Sequence, residues 1–295
     1  MGNFEGHALP GTFFIVFSVW YIIQSFRRYF SSQQRNVRFT STVAFPCDCL
    51  CGRLKNMPVE AFLKVLCVAV GFTGEVITGY SDEHFVSLIN SQHATMYFFF
   101  GFSGVVDILV FYRAPLPPDT DYVSSMLAFL AEGLLFRFHL HGRSELDVML
   151  HMLLFYTIVA NFVAVAMEMR YRHSLLGPLG RSYFLLTQGT WFWQMGFILY
   201  NPVPGATPWK QDDPDELMIA TLFFAWHCAV NFIFILLIGV AVACCCRQRS
   251  GYTQEEGMSM KRLIHTGANG QTLVSLNDDS DLDSEVEFQK PPRRN

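Results

Sequence analysis

Charge is scarce in this sequence, and the motifs that fix familiar chemistries are missing. Only 16% of the 295 residues are charged, against about a quarter in an ordinary soluble domain. With 51% hydrophobic and 15% aromatic residues, there is too little polarity for a fully water-solvated surface. No base precedes the first apolar run; Arg27 and Arg28 follow it. That pattern excludes a basic-flanked signal peptide and predicts an uncleaved first helix. There is no N-x-Ser/Thr sequon, no internal repeat, no H-E-x-x-H and no C-x-x-C, so no pair of metal ligands is fixed on one element by sequence. Phe111-Tyr112-Arg113 stands where a G-protein-coupled receptor carries Asp-Arg-Tyr, and no Asn-Pro-x-x-Tyr follows in the last apolar run.

What the sequence does have is long apolar runs. Bounded by Pro, Gly and charge clusters, they predict spans near 9–26, 58–79, 88–112, 122–141, 147–168, 181–200 and 217–245. Runs of this length without strict alternation are helices, because in lipid only helices and closed barrels satisfy every backbone group. The expected fold is all-α: a seven-transmembrane-helix bundle over residues 1–246, followed by a disordered acidic cytosolic tail over 247–295. Bases are retained on the cytosolic side. Arg35, Arg38, Arg53 and Lys55 follow span 1, Arg170 and Arg172 follow span 5, and Arg247 and Arg249 follow span 7. The alternate segments are poor in bases. The N-terminus is therefore expected to be lumenal or extracellular and the C-terminus cytosolic.

Ionisable groups inside spans are costly and usually face a bundle interior or a wet cavity. With this topology Glu75, His93, His139, His151 and His227 all fall in the lumenal half, and Glu132 lies near the middle of span 4. Glu132 and His139 are seven apart and share a helix face, as do Asp147 and His151 at i,i+4. His93, His139, His151 and His227 with Glu75 and Glu132 are thus candidate metal ligands. Imidazoles with a carboxylate suit zinc or copper, and two facing histidines could hold a haem. The alternative is a set of neutral, hydrogen-bonded histidines that join helices without a cofactor.

Eight cysteines are present, none in a segment placed on the lumenal side, so no disulfide framework is expected there. Cys47, Cys49, Cys51, Cys244, Cys245 and Cys246 lie at basic membrane edges and read as S-palmitoylation candidates. In the tail, Ser280 and Ser284 each have an acid three residues on, which makes them phosphorylation candidates.

Gly6-His7-Ala8-Leu9-Pro10-Gly11, Gln92-His93-Ala94-Thr95-Met96-Tyr97, Glu132, His139-Leu140-His141, Leu146-Asp147, His151, Gln188 to Gln194 and Trp226-His227 together resemble the transmembrane protein 45 family, over essentially the whole membrane domain. The resemblance implies a seven-helix integral membrane protein of the Golgi and endosomal–lysosomal system with no established activity. Met149 stands where some relatives carry a further histidine.

Three functions follow from these features. The first is a non-enzymatic protein of trafficking, scaffolding or host–pathogen restriction, acting through cytosolic partners of the acidic tail. The second is a metal- or haem-dependent membrane enzyme or redox protein using the lumenal histidines. The third is a transporter or channel. The expected partners are the lipid bilayer and cytosolic proteins, not nucleic acid.

Overall fold

The structure is a computed structural model and describes residues 3–46, 57–81, 84–85, 87–140 and 142–267. Among them seven helices run in order: α1 (Phe4–Gln34), α2 (Val59–Thr78), α3 (Leu88–Phe111), α4 (Thr120–Phe138), α5 (Glu145–Arg170), α6 (Leu176–Leu199) and α7 (Pro214–Gly267). A two-residue antiparallel hairpin, β1 (Tyr80–Ser81) with β2 (His84–Phe85), joins α2 to α3. Met1–Cys246 is one compact unit, and a second begins at Arg247. Residues 247–267 are helical, where composition predicts disorder. Glu255, Glu256, Met258, Met260, Lys261 and Leu263 in that stretch are good helix formers.

Polar caps set where the helices begin. The Asn3 side chain accepts from the Gly6 amide at 2.8 Å, opening α1 five residues before the expected span. Ser87 and Ser144 cap α3 and α5 in the same way. The loop before α7 docks on the start of α5: Leu146 donates to the Gln211 carbonyl at 2.9 Å, and Ser144 donates to Gln211 at 2.7 Å. In that exposed loop Lys210 and Asp213 lie 3.0 Å apart. Their hydrogen bond holds the lysine above its ordinary pKa and the aspartate below.

Five helices, α1, α2, α3, α5 and α7 up to Gln248, are long and apolar enough to cross a membrane. The other two are more polar because of where they lie. α6 packs between α1 and α5, and its Thr187, Gln188 and Arg181 are buried. α4 packs between α3 and α5 and buries Glu132. Screened from lipid by neighbours, these side chains need partners rather than apolarity.

Each helix from α2 to α6 packs on the next in sequence, and α1 packs on α6. The α1–α6 contact is close because glycines face each other. A Cβ at Gly189 would lie 2.9 Å from the Gly11 carbonyl oxygen, and one at Gly11 would lie 2.9 Å from the Gly189 oxygen. This leaves α1 and α2 side by side with little contact along most of their length. Their seam is pinned at one end, where the Trp20 indole donates to Glu60 at 2.7 Å. α7 lies against α1 and α6, with Ile235 packed on Ile22, Phe26 and Leu186.

The basic loop after α1 is not a free solvent loop. Phe39, Val43 and Phe45 are buried. The Ser41 amide donates to the Arg172 carbonyl at 2.7 Å, and the Phe45 amide donates to Glu60 at 2.9 Å. Beneath this segment Arg181 and Glu168 form a buried pair at 2.7 Å. Arg181 also donates to the Thr42 carbonyl, and Tyr122 donates to Glu168 at 3.1 Å. At the same end Lys64 pairs with Asp107 at 3.0 Å.

Candidate functional site

A site forms at the opposite end, where α1, α3 and α5 begin and α2 and α4 finish. The up-and-down order of the helices brings residues far apart in sequence to one level. Four imidazoles lie in an arc. The His93 and His139 ring centres are 5.0 Å apart, His139 and His151 6.1 Å, and His151 and His7 6.1 Å. All four line one cavity of about 70 Å³, together with Glu75 and Glu132.

Each imidazole is oriented through Nδ1 by an oxygen. His7 bonds to the Asn3 carbonyl at 3.0 Å, and His93 to the Glu75 carboxylate at 3.2 Å. His139 bonds to the Gln92 side-chain oxygen at 2.6 Å, and His151 to the Asp147 carboxylate at 2.8 Å. A carbonyl or carboxylate oxygen only accepts, so Nδ1 carries a proton in each ring. The orienting groups are themselves held. Asn90 donates to Glu75 at 2.8 Å, and Arg143 reaches both Asp147 oxygens at 3.1 and 2.8 Å. Arg143 also donates to the His139 carbonyl at 3.0 Å. Deeper in the bundle Glu132, 2% exposed, accepts from the Gln188 amide through Oε1. Its Oε2 is buried without a partner.

Five of the six sequence candidates, Glu75, His93, Glu132, His139 and His151, therefore share one cavity. His227 does not. It lies on α7, with Nε2 3.4 Å from the Gln194 oxygen and its ring edge-on to Trp191. Trp191 is fully buried and donates to the Leu150 carbonyl at 3.1 Å, so it stands between His227 and α5. His7 takes the place expected of His227. Starting the first span at residue 9 left His7 outside the helix, yet it has the same signal as the others: a histidine at the end of an apolar run expected to be lumenal.

As placed, these side chains do not compose a metal ligand set. Zinc–nitrogen bonds of about 2.0–2.1 Å demand ligand atoms no more than ~4 Å apart. Among the described residues no three His, Cys, Asp or Glu converge in that way.

A second cavity of about 90 Å³ lies towards the other end and shares Pro10, Phe14, Tyr97 and Phe100 with the first. Its walls are mainly apolar: Phe13 and Phe17 of α1, Cys67 and Val68 of α2, and Phe129 of α4. It fills the seam where α1 and α2 hardly touch. Cys67, Cys228, Cys244, Cys245 and Cys246 are free thiols, with Cys244 and Cys245 exposed. Cys47, Cys49, Cys51, Ser280 and Ser284 lie outside the described residues.

Residues 119–240, from the start of α4 into α7, match a family of unknown function, DUF716. Transmembrane epididymal protein 1A of Mus musculus is 25% identical over 256 residues, 80% of this chain and 79% of that protein. Transmembrane epididymal protein 1 of Rattus norvegicus is 24% identical over 262 residues, again 80% and 79%. The Homo sapiens protein of that name is 30% identical over 148 residues, 49% of this chain and 53% of its own length. The similarity is to DUF716 and the transmembrane epididymal proteins. This corrects the resemblance to the transmembrane protein 45 family. Glu132, His139 and His151 fall inside the matched region, whereas His7, Glu75 and His93 precede it. With its apolar helices and these relatives, the chain is a multi-pass membrane protein in contact with the lipid bilayer.

Proposed function

We propose that this protein binds a membrane-soluble amphipathic molecule, with its apolar part in the chamber between α1 and α2 and its polar part at the histidine arc. The observation that carries this reading is the pair of cavities sharing four wall residues, one mainly apolar and one ringed by imidazoles and carboxylates. A seam between two adjacent helices gives a hydrophobic ligand a route from the bilayer without crossing water. Few polar groups converging on an apolar pocket is the usual make-up of a small-molecule site. The basic segments after spans 1, 5 and 7 favour an orientation with the histidine end lumenal and the Arg181 end cytosolic.

Purified full-length protein, extracted and analysed by mass spectrometry, should release an amphipathic molecule in near-stoichiometric amount. The Val68→Trp variant, which fills the apolar chamber, should release little. Equal recovery from both proteins would overturn the reading.

The acidic tail supports a second role, in trafficking, scaffolding or restriction through cytosolic proteins. Removing residues 250–295 should abolish such a role and leave ligand recovery unchanged. The Golgi and endosomal–lysosomal address rested on the corrected resemblance. Imaging of the full chain against organelle markers tests it directly.

A further inference from the structure

We infer that the polar end of the ligand is a protonated amine. This rests on the reading of the cavities as an amphipath site and adds the chemistry of the head group.

Hydrogen-bonding roles give the first reason. Nδ1–H of His7, His93, His139 and His151 is already donated to an oxygen, which in a neutral ring leaves Nε2 as an acceptor. No described residue donates to those four nitrogens. Glu132 Oε2 is a further acceptor, buried and unpartnered on the same cavity. A buried acceptor without a donor is costly, and Glu132 Oε2, set beside the imidazole arc, is complementary to a group that only donates. An ammonium has three N–H donors and no acceptor.

Charge gives the second. Two carboxylates, of Glu75 and Asp147, and the buried carboxyl of Glu132 lie on or beside the cavity, against one guanidinium, that of Arg143. Arg143 already engages Asp147 and the His139 carbonyl. A carboxylate or phosphate head would enter against these acids, whereas an ammonium would meet them with the opposite charge. The surrounding rings agree with this sign. Phe136 meets Phe192 edge-on at 5.9 Å and Phe14 stacks on Phe192 at 5.9 Å, and aromatic faces attract cations. The shared apolar chamber makes an amine on a hydrophobic chain a better fit than a bare metal ion, for which no three ligands converge among the described residues.

The test uses detergent-solubilised full-length protein and three photoactivatable probes with one long alkyl chain, ending in a primary amine, a carboxylic acid or an alcohol. The amine should label residues facing the cavities about tenfold more than the acid at equal concentration, with the alcohol between them. Glu132→Gln keeps the volume and removes the group that can ionise against an ammonium, so it should lower amine labelling by a similar factor and leave the alcohol unchanged. Should that variant fail to run as a monodisperse species, Glu75→Gln serves the same purpose. Labelling by the acid that equals or exceeds labelling by the amine would overturn the amine and leave the amphipath site standing. Labelling by none of the three inside the cavities would overturn both.

Discussion

Glu132 on α4 accepts a hydrogen bond from Gln188 on α6 through one carboxylate oxygen, while the other oxygen is buried with no partner. The two residues are 56 apart in sequence, and their contact joins helices separated by α5. One half of the carboxylate joins two helices, and the other half is the free acceptor on which the proposed ligand site rests.

The first prediction separates those halves. Glu132→Leu leaves the Gln188 amide buried without an acceptor, at a cost of about 1–3 kcal/mol. Glu132→Gln preserves an acceptor and should cost less. Thermal unfolding in detergent should therefore rank wild type and Glu132→Gln well above Glu132→Leu.

The second concerns the crossing of α1 and α6. Since a Cβ at Gly189 would meet the Gly11 oxygen and the Ile15 nitrogen at 2.9 Å, both of them backbone atoms, the helices must separate to admit even alanine. Gly189→Ala should destabilise by about 1–3 kcal/mol, and Gly189→Leu by more. By contrast Gly74, where a Cβ would meet no atom within 4 Å, should accept alanine with no loss. Equal melting temperatures for Gly189→Ala and Gly74→Ala would contradict the packing.

The third concerns Arg181 and Glu168, which are 5% and 0% exposed at their side chains. Removing one partner strands a buried charge, so Glu168→Gln or Arg181→Met alone should cost about 3–5 kcal/mol, and the double replacement much less than their sum. Arg181→Lys should not rescue, because Arg181 donates from two nitrogens at once, Nε to Glu168 and Nη2 to both Glu168 and the Thr42 carbonyl. A thermal double-mutant cycle in detergent with additive effects would contradict this coupling.

A fourth prediction addresses topology and acylation together. In sealed vesicles a C-terminal tag should be digested by external protease and an N-terminal tag protected when the cytosolic face is outward. Both tags on one side would contradict an odd number of crossings. Hydroxylamine-sensitive acyl labelling should fall when Cys47, Cys49, Cys51, Cys244, Cys245 and Cys246 become serine. Labelling that persists in the sixfold variant would exclude those sites.

Much of the bundle was legible in the sequence, because apolar runs report directly on helices in lipid. The site was legible in part. Glu75, His93, Glu132, His139 and His151 announced themselves as ionisable groups at one level of the bilayer. His227 has the same signature and lies elsewhere, because depth is visible in sequence and the direction a helix faces is set by its neighbours. His7 was hidden by a boundary: Asn3 caps α1 ahead of the apolar run that marked its start. The buried segment around Phe39, Val43 and Phe45 was hidden for another reason. It is short, polar in part and without periodicity, and only its bonds to Arg172, Glu60 and Arg181 explain its place in the interior.

Ligand entry between α1 and α2 is tested most directly by mapping where an alkyl photoprobe attaches to full-length protein in native membranes. Peptides carrying Phe13, Phe17, Cys67 and Tyr97, which face the chamber between α1 and α2, should be labelled, and Val68→Trp should suppress them. Label confined to exposed side chains such as Leu237 and Val240 on α7, unchanged by Val68→Trp, would show that the chamber takes no ligand.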